Sequence, residues 1–211
     1  MIDPSHKKIV RRPPHMVTFE KAGQQNAEET LRIALARAKE LDCPIVISST
    51  MGTTALTLLD LAEELGFTGP VVIVRGVSNK YKNGVNLMDA ETKKQIEARG
   101  ATVVTAGHAL SVGERGISAK FKGISPLEIM AETLRTMGQG TKVSFEVSIM
   151  ALEADAIPYG KPVVACGGTH RGVDTAMVIT PAYSANILET VVHEFLCKPF
   201  DPSNAHIKLT F

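Results

Sequence analysis

Ser48-Ser49-Thr50-Met51-Gly52-Thr53-Thr54 sets five hydroxyls and a glycine where a short β-branched run meets a helical pattern. The first N–H groups of a helix lack intrahelical partners, and the helix dipole favours an anion there. Gly52 would let the backbone approach a phosphate, and the hydroxyls would add neutral donors. Ser and Thr are equally good helix N-caps, so the residue types alone support either reading.

Three further stretches carry reactive or donor groups. Gly107–Ser118 combines Gly107, Gly113 and Gly116 with His108, Ser111 and Arg115. Its glycines allow close approach to a flat ligand. His108 can exchange a proton near neutral pH, and Arg115 can pair with a phosphate or a carbonyl oxygen. The alternative is an ordinary surface loop. Val163–Thr169 reads as a strand that ends in Cys166-Gly167-Gly168-Thr169, with Asp174 shortly after. Gly167 and Gly168 would give backbone donors and Thr169 a hydroxyl. Otherwise the stretch is a tight turn with Cys166 buried as a small hydrophobe. His170 and Arg171 add polar reach without being selected. Gln139-Gly140 reads as a turn at a helix boundary, and Glu146, about two turns into the next helix, as a solvated carboxylate.

The elements that must position these groups follow from periodicity. Helices are expected over Gln25–Leu41, Gly52–Leu65, Asp89–Arg99, Pro126–Met137 and Thr141–Asp155, with apolar residues at helical spacing in most. Strands are expected at Pro44–Ser48, Pro70–Arg75, Ala101–Thr105, Pro162–Cys166 and Thr175–Thr180. Asn186–Leu196 reads as a last helix and Ile207–Phe211 as an edge strand. Ala106–Ser125 holds four glycines and no clear period, so it reads as a long functional loop. The strand–helix rhythm implies an α/β fold: an open, mostly parallel sheet with helices on both faces. In such sheets ligands bind outside the carboxyl ends of the strands.

Composition narrows the function classes. The 211 residues are 44% hydrophobic and 21% charged, which favours a globular chain. The formal charge of +1 lacks the basic excess of a dedicated nucleic-acid binder. No apolar run approaches the roughly 20 residues of a membrane span. The expected division is a basic tail over 1–16, holding Lys7, Lys8, Arg11 and Arg12, and a single α/β domain over 17–211. Cys43, Cys166 and Cys197 fit no metal or disulfide spacing, so a cytoplasmic chain with buried thiols is expected and no metal site. No G-x-G-x-x-G, Walker A or G-x-S-x-G run occurs. His193-Glu194-Phe195-Leu196-Cys197 imitates a zinc motif by coincidence, with Cys at the second His position.

The order helix, strand, S-S-T-M-G-T-T-A, helix resembles the C-terminal domain of pyruvate kinase. There a similar loop holds the phosphate of an allosteric sugar phosphate, and Thr53 stands where that family has an arginine. The catalytic barrel has no counterpart, so kinase activity is rejected. The chain is also similar, over about 17–200, to the stand-alone pyruvate kinase α/β domain-like family of unassigned function. Thr18–Gly23, Ala106–Ser111, Arg115–Ser118, Pro126–Arg135, Gly138–Gly140, Gly167–Thr169 and Gly172–Ala176 carry the similarity. The resemblance implies a doubly wound domain able to hold flavin mononucleotide (FMN). Ser48, Ser49, Thr50, Gly52, Thr53 and Thr54 would take the phosphate. Gly107, His108, Ser111, Arg115, Gly116, Gly167, Gly168 and Thr169 would flank the ring, and Gln139 would bond its edge. A flavin-dependent oxidoreductase, with His108 or Cys166 near the reacting atom, is one alternative. An allosteric sensor of a sugar phosphate is the other. A homo-oligomer is expected in each case.

Overall fold

Ile45 and Ile47 pack on one face of the central sheet and Val46 on the other, the period-2 alternation of a strand buried on both sides. A computed structural model describes residues 16–78 and 84–201. The basic tail up to residue 15 and the edge strand expected at Ile207–Phe211 lie outside the described residues. Elements run in the order β1 (Val17–Lys21), α1 (Ala27–Leu41), β2 (Ile45–Ser48), α2 (Thr53–Glu64), β3 (Val71–Arg75), α3 (Ala90–Ala98) and β4 (Thr102–Thr105). They continue with α4 (Val112–Phe121), α5 (Pro126–Arg135), α6 (Gln139–Glu153), β5 (Val163–Gly167), β6 (Thr175–Thr180) and β7 (Val191–Asp201).

The strands form one sheet in the order β1-β7-β6-β5-β2-β3-β4. Only β6 runs against its neighbours β5 and β7; every other pair is parallel. Leu31 and Leu35 of α1, Leu58 of α2 and Ile96 of α3 cover one face. Leu134 of α5 and Phe145, Ile149 and Met150 of α6 cover the other. The fold is therefore the open α/β sheet with helices on both faces. Among the described residues no helix is long and apolar enough to cross a membrane.

Two expectations are corrected. Ala106–Ser125 is not a structureless loop, because α4 occupies its middle. Val112, Ile117 and Phe121 all stay exposed, so α4 lacks the buried apolar stripe that periodicity detects. Asn186–Leu196 is not a helix. A short 3-10 turn spans Ser184–Glu189, and Val191 begins β7. Two register shifts against β6 interrupt that strand's alternation. β7 also gives β1 its parallel partner, with Val17 opposite Cys197. The zinc-like run therefore lies on a strand: His193 Nε2 meets Thr180 Oγ1, while Glu194 accepts from Arg37.

α6 is the element that brings chemistry into the interior. From Gly140 to Leu152 only Val143 escapes full burial. A Cβ on Gly140 would stand 2.2 Å from Thr175 Oγ1, and one on Gly167 would stand 2.5 Å from the Gly140 carbonyl oxygen. These two glycines let the first turn of α6 sit directly on β5 and β6. Asp174 is fully buried beside this seat and accepts the Gly23 N–H at 3.0 Å, tying the end of β1 to β6.

Candidate functional site

Outward progress from β2 runs through β3 to β4, and the chain returns as β5 on the other side of β2. A crevice opens outside the carboxyl ends of β2 and β5, where the strand order reverses. It is a cleft of about 710 Å³, within the usual range for small-molecule sites. Ser48, Ser49, Thr50, Thr53, Thr54, His108, Gln139, Gly168 and Thr169 all line it. Stretches far apart in the chain therefore converge. Gln24, Met51, Leu87, Val143, His170, Arg171 and Gly172 complete the wall.

The hydroxyl wall is built at the start of α2. Ser49 continues the ladder by giving its N–H to the Val74 carbonyl at 3.0 Å, and its Oγ accepts the Ala55 N–H at 3.3 Å. Gly52 is the N-cap and offers no side-chain cap. Gly52 is buried with φ +97°, and an added Cβ would stand 2.3 Å from Thr92 Cγ2 of α3. The glycine admits the turn and the close seat of α3, and it does not itself line the cleft.

The opposite wall is the turn from Gly168 to Gly172. Arg171 donates its N–H to the Thr169 carbonyl at 2.8 Å, and Asp174 donates to the Gly167 carbonyl at 3.0 Å. His170 takes φ +63°, a left-handed conformation that few non-glycine residues adopt. A Cβ on Gly168 would meet the Gly172 carbonyl oxygen at 2.3 Å, so the loop closes tightly only with glycine there. Arg171 and His170 face the space that the Ser/Thr loop borders. Among the described residues the ionisable groups in the wall are His108, His170 and Arg171, and no carboxylate lines it.

His108 stands in front of α6. Its Nδ1 lies 3.3 Å from Glu146 Oε2, and Leu110 donates its N–H to Glu146 Oε1 at 3.2 Å. Lys142 Nζ closes onto the same carboxylate. Glu146 is thus no solvated carboxylate: it is fully buried, and Lys142 nearly so. Burial alone would raise the Glu146 carboxyl, but the His108 contact and the Lys142 charge outweigh it and hold it below the ordinary value. Burial lowers the Lys142 ammonium by more than Glu146 restores. Gln139 Oε1 accepts from Arg135 Nε at 2.8 Å, so its amide NH₂ is the end left for the cleft.

The remaining selected residues sit elsewhere. Gly107 precedes α4 and Ser111 is its N-cap, while Arg115 and Gly116 lie exposed on α4. Gly167 is covered by α6. None of these five lines the cleft. Cys166 is fully buried within the sheet, and burial raises its thiol well above the ordinary value. That removes the thiolate and the access a reacting cysteine needs. Among the described residues no three His, Cys, Asp or Glu side chains group as metal ligands. Arg171 and His170 were legible only as polar reach in Gly-Gly-Thr-His-Arg-Gly. Gln24 and Leu87 carry no local signal.

No family model matches the chain. A solved structure, O-ureido-L-serine synthase, aligns with a TM-score of 0.26 and 16% identity, covering 64% of this chain and 50% of that one. The chain thus spans about half the length of that protein, and so low a score carries no argument about function.

Proposed function

We propose that this chain binds a phosphorylated ligand, FMN foremost, in the cleft outside β2 and β5. The observation that carries the reading is the wall itself. Ser and Thr residues at the start of the 12-residue α2 line the same cleft as Arg171 and His170, and among the described residues no carboxylate lines it. Helix-start amides, hydroxyls and a guanidinium are the donor set that a phosphate monoester needs. Arg171 would also supply the positive charge that Thr53 does not. Met51, Leu87 and Val143 add apolar surface for a ring, and Gln139 an amide donor for its edge. These residues fit FMN, and the resemblance to the stand-alone pyruvate kinase α/β domain-like family points the same way. A bound flavin would supply electron transfer, while the protein binds and orients it.

A sugar-phosphate sensor uses the same phosphate wall and is the second reading, favoured by the hydroxyl and amide groups of the wall, which suit a polyol. An oxidoreductase would have to rely on His108 rather than Cys166. Residence in a reducing compartment and self-association belong to the proposal, with sedimentation as the measure of the second.

The test is the absorption spectrum of freshly purified protein, followed by mass spectrometry of the heat-released supernatant. With no Trp and only three Tyr, a flavin band would stand out. Stoichiometric FMN is expected. Protein that is colourless and takes up no added FMN overturns the flavin assignment, and release of a sugar phosphate selects the second reading.

A further inference from the structure

Lys142 and Glu146 form an ion pair one turn apart inside α6. Burying two charges costs desolvation that a pair of apolar side chains would avoid, so the pair is poorly explained as a stabilising device. Its contacts indicate another role. Glu146 spends Oε1 on the Leu110 N–H and Oε2 on Lys142 and His108. It therefore pins the backbone just before α4 and the imidazole that this segment carries into the cleft. A carboxylate facing Nδ1 selects the tautomer with hydrogen on Nδ1. In a neutral ring this leaves the lone pair on Nε2. The His108 side chain is 46% exposed, and it lines the cleft. Lys142 neutralises Glu146, so the carboxylate stays ionised without burying a net charge.

We propose that His108 is the proton-accepting group of the cleft, with Glu146 and Lys142 as the positioning pair that fixes its ring and tautomer. The proposal rests on the reading that the cleft binds a ligand. In the step it allows, a bond from hydrogen to a ligand oxygen, nitrogen or activated carbon breaks. The electron pair stays on the ligand and the proton joins Nε2. The imidazolium sits against Glu146 and returns the proton to the ligand or to water, so no oxidant or second reactant is needed.

The experiment is a long-range ¹H–¹⁵N correlation spectrum of protein labelled in histidine nitrogen, with His108→Asn identifying the signal. It is recorded near pH 9, above the ordinary imidazole range of about 6.5. A single Nδ1–H tautomer is expected for His108. A ring protonated at Nε2, or one averaging both tautomers, overturns the proposal without any variant at α6. Glu146→Leu combined with Lys142→Met removes the pair, and the acceptor facing Nδ1, without orphaning a buried charge and should lose the single-tautomer pattern. Persistence of that pattern in the folded double variant overturns the positioning role. Added FMN is then titrated. A shift of the His108 Nε2 signal at saturation is the supporting result. FMN that binds stoichiometrically while Nε2 stays unmoved overturns the proton-acceptor role and spares the binding reading. If neither FMN nor inorganic phosphate binds, the binding reading fails and the proposal falls with it.

Discussion

Desolvation raises all three thiols of the chain above their ordinary range, and Cys197 reaches about 11. A thiol raised in the folded state stays protonated at pH 8, and the protonated form is a poor nucleophile. Ellman's reagent at pH 8 should therefore find no reactive thiol in the native protein and three after unfolding in guanidinium. A native thiol that reacts within minutes, traced by mass spectrometry to Cys166, would restore that residue to the site. Buried thiols were legible in the sequence, because three cysteines at these spacings fit no disulfide or metal motif, although Cys166 was also a candidate beside the reacting atom. Glu146 was not. A carboxylate on a helix reads as solvated, and only the partners Lys142, His108 and Leu110 make its burial tolerable. Two of those partners lie on a segment more than 30 residues upstream, beyond any local pattern.

At the scale of elements, β2, β3, β4, β5 and β6 were legible because each is a short β-branched run closed by turn or cap residues. α4 and β7 were not, for opposite reasons. α4 is helical with its apolar residues outward, while β7 is a strand in which Val192, Phe195 and Leu196, at i, i+3 and i+4, imitate a helix. Gly52 is held to glycine by an element contact. Its φ is left-handed, and a Cβ added there would stand 2.3 Å from Thr92 Cγ2, where α2 packs on α3. Gly52→Ala should lose about 1–3 kcal/mol of stability from the strained φ alone, with the collision added. Thr92→Ala removes the colliding methyl. In the Gly52→Ala background it should return part of the loss, a coupling of roughly 0.5–3 kcal/mol. Urea unfolding of the two single variants and the double variant measures it. Strict additivity would show that the α2–α3 seat is not what demands glycine.

At the scale of the molecule, the sheet order matters more than any one loop. The Ser/Thr loop follows β2 and the Gly-Gly-Thr-His-Arg turn follows β5, about 120 residues later. They meet only because β5 returns beside β2 rather than beyond β4. A ligand gripped by both loops ties the β2–α2 unit to the β5–β6 hairpin, so its binding should appear in global unfolding. A ligand specific to the native state stabilises by about 2.7 kcal/mol at 100 times its Kd. For a chain of this size each kcal/mol shifts Tm by roughly 2–4 °C, so a rise of about 5–10 °C is expected with FMN at that excess. Riboflavin keeps the ring and lacks the phosphate. If the hydroxyl wall and Arg171 hold the phosphate, riboflavin at the same concentration should raise Tm far less. Arg171→Ala should bring the FMN response close to the riboflavin response, because Arg171 is exposed and its loss leaves the core intact. Equal shifts from FMN and riboflavin in the unaltered protein would show that the ring alone is recognised, and would remove the phosphate assignment from both loops together.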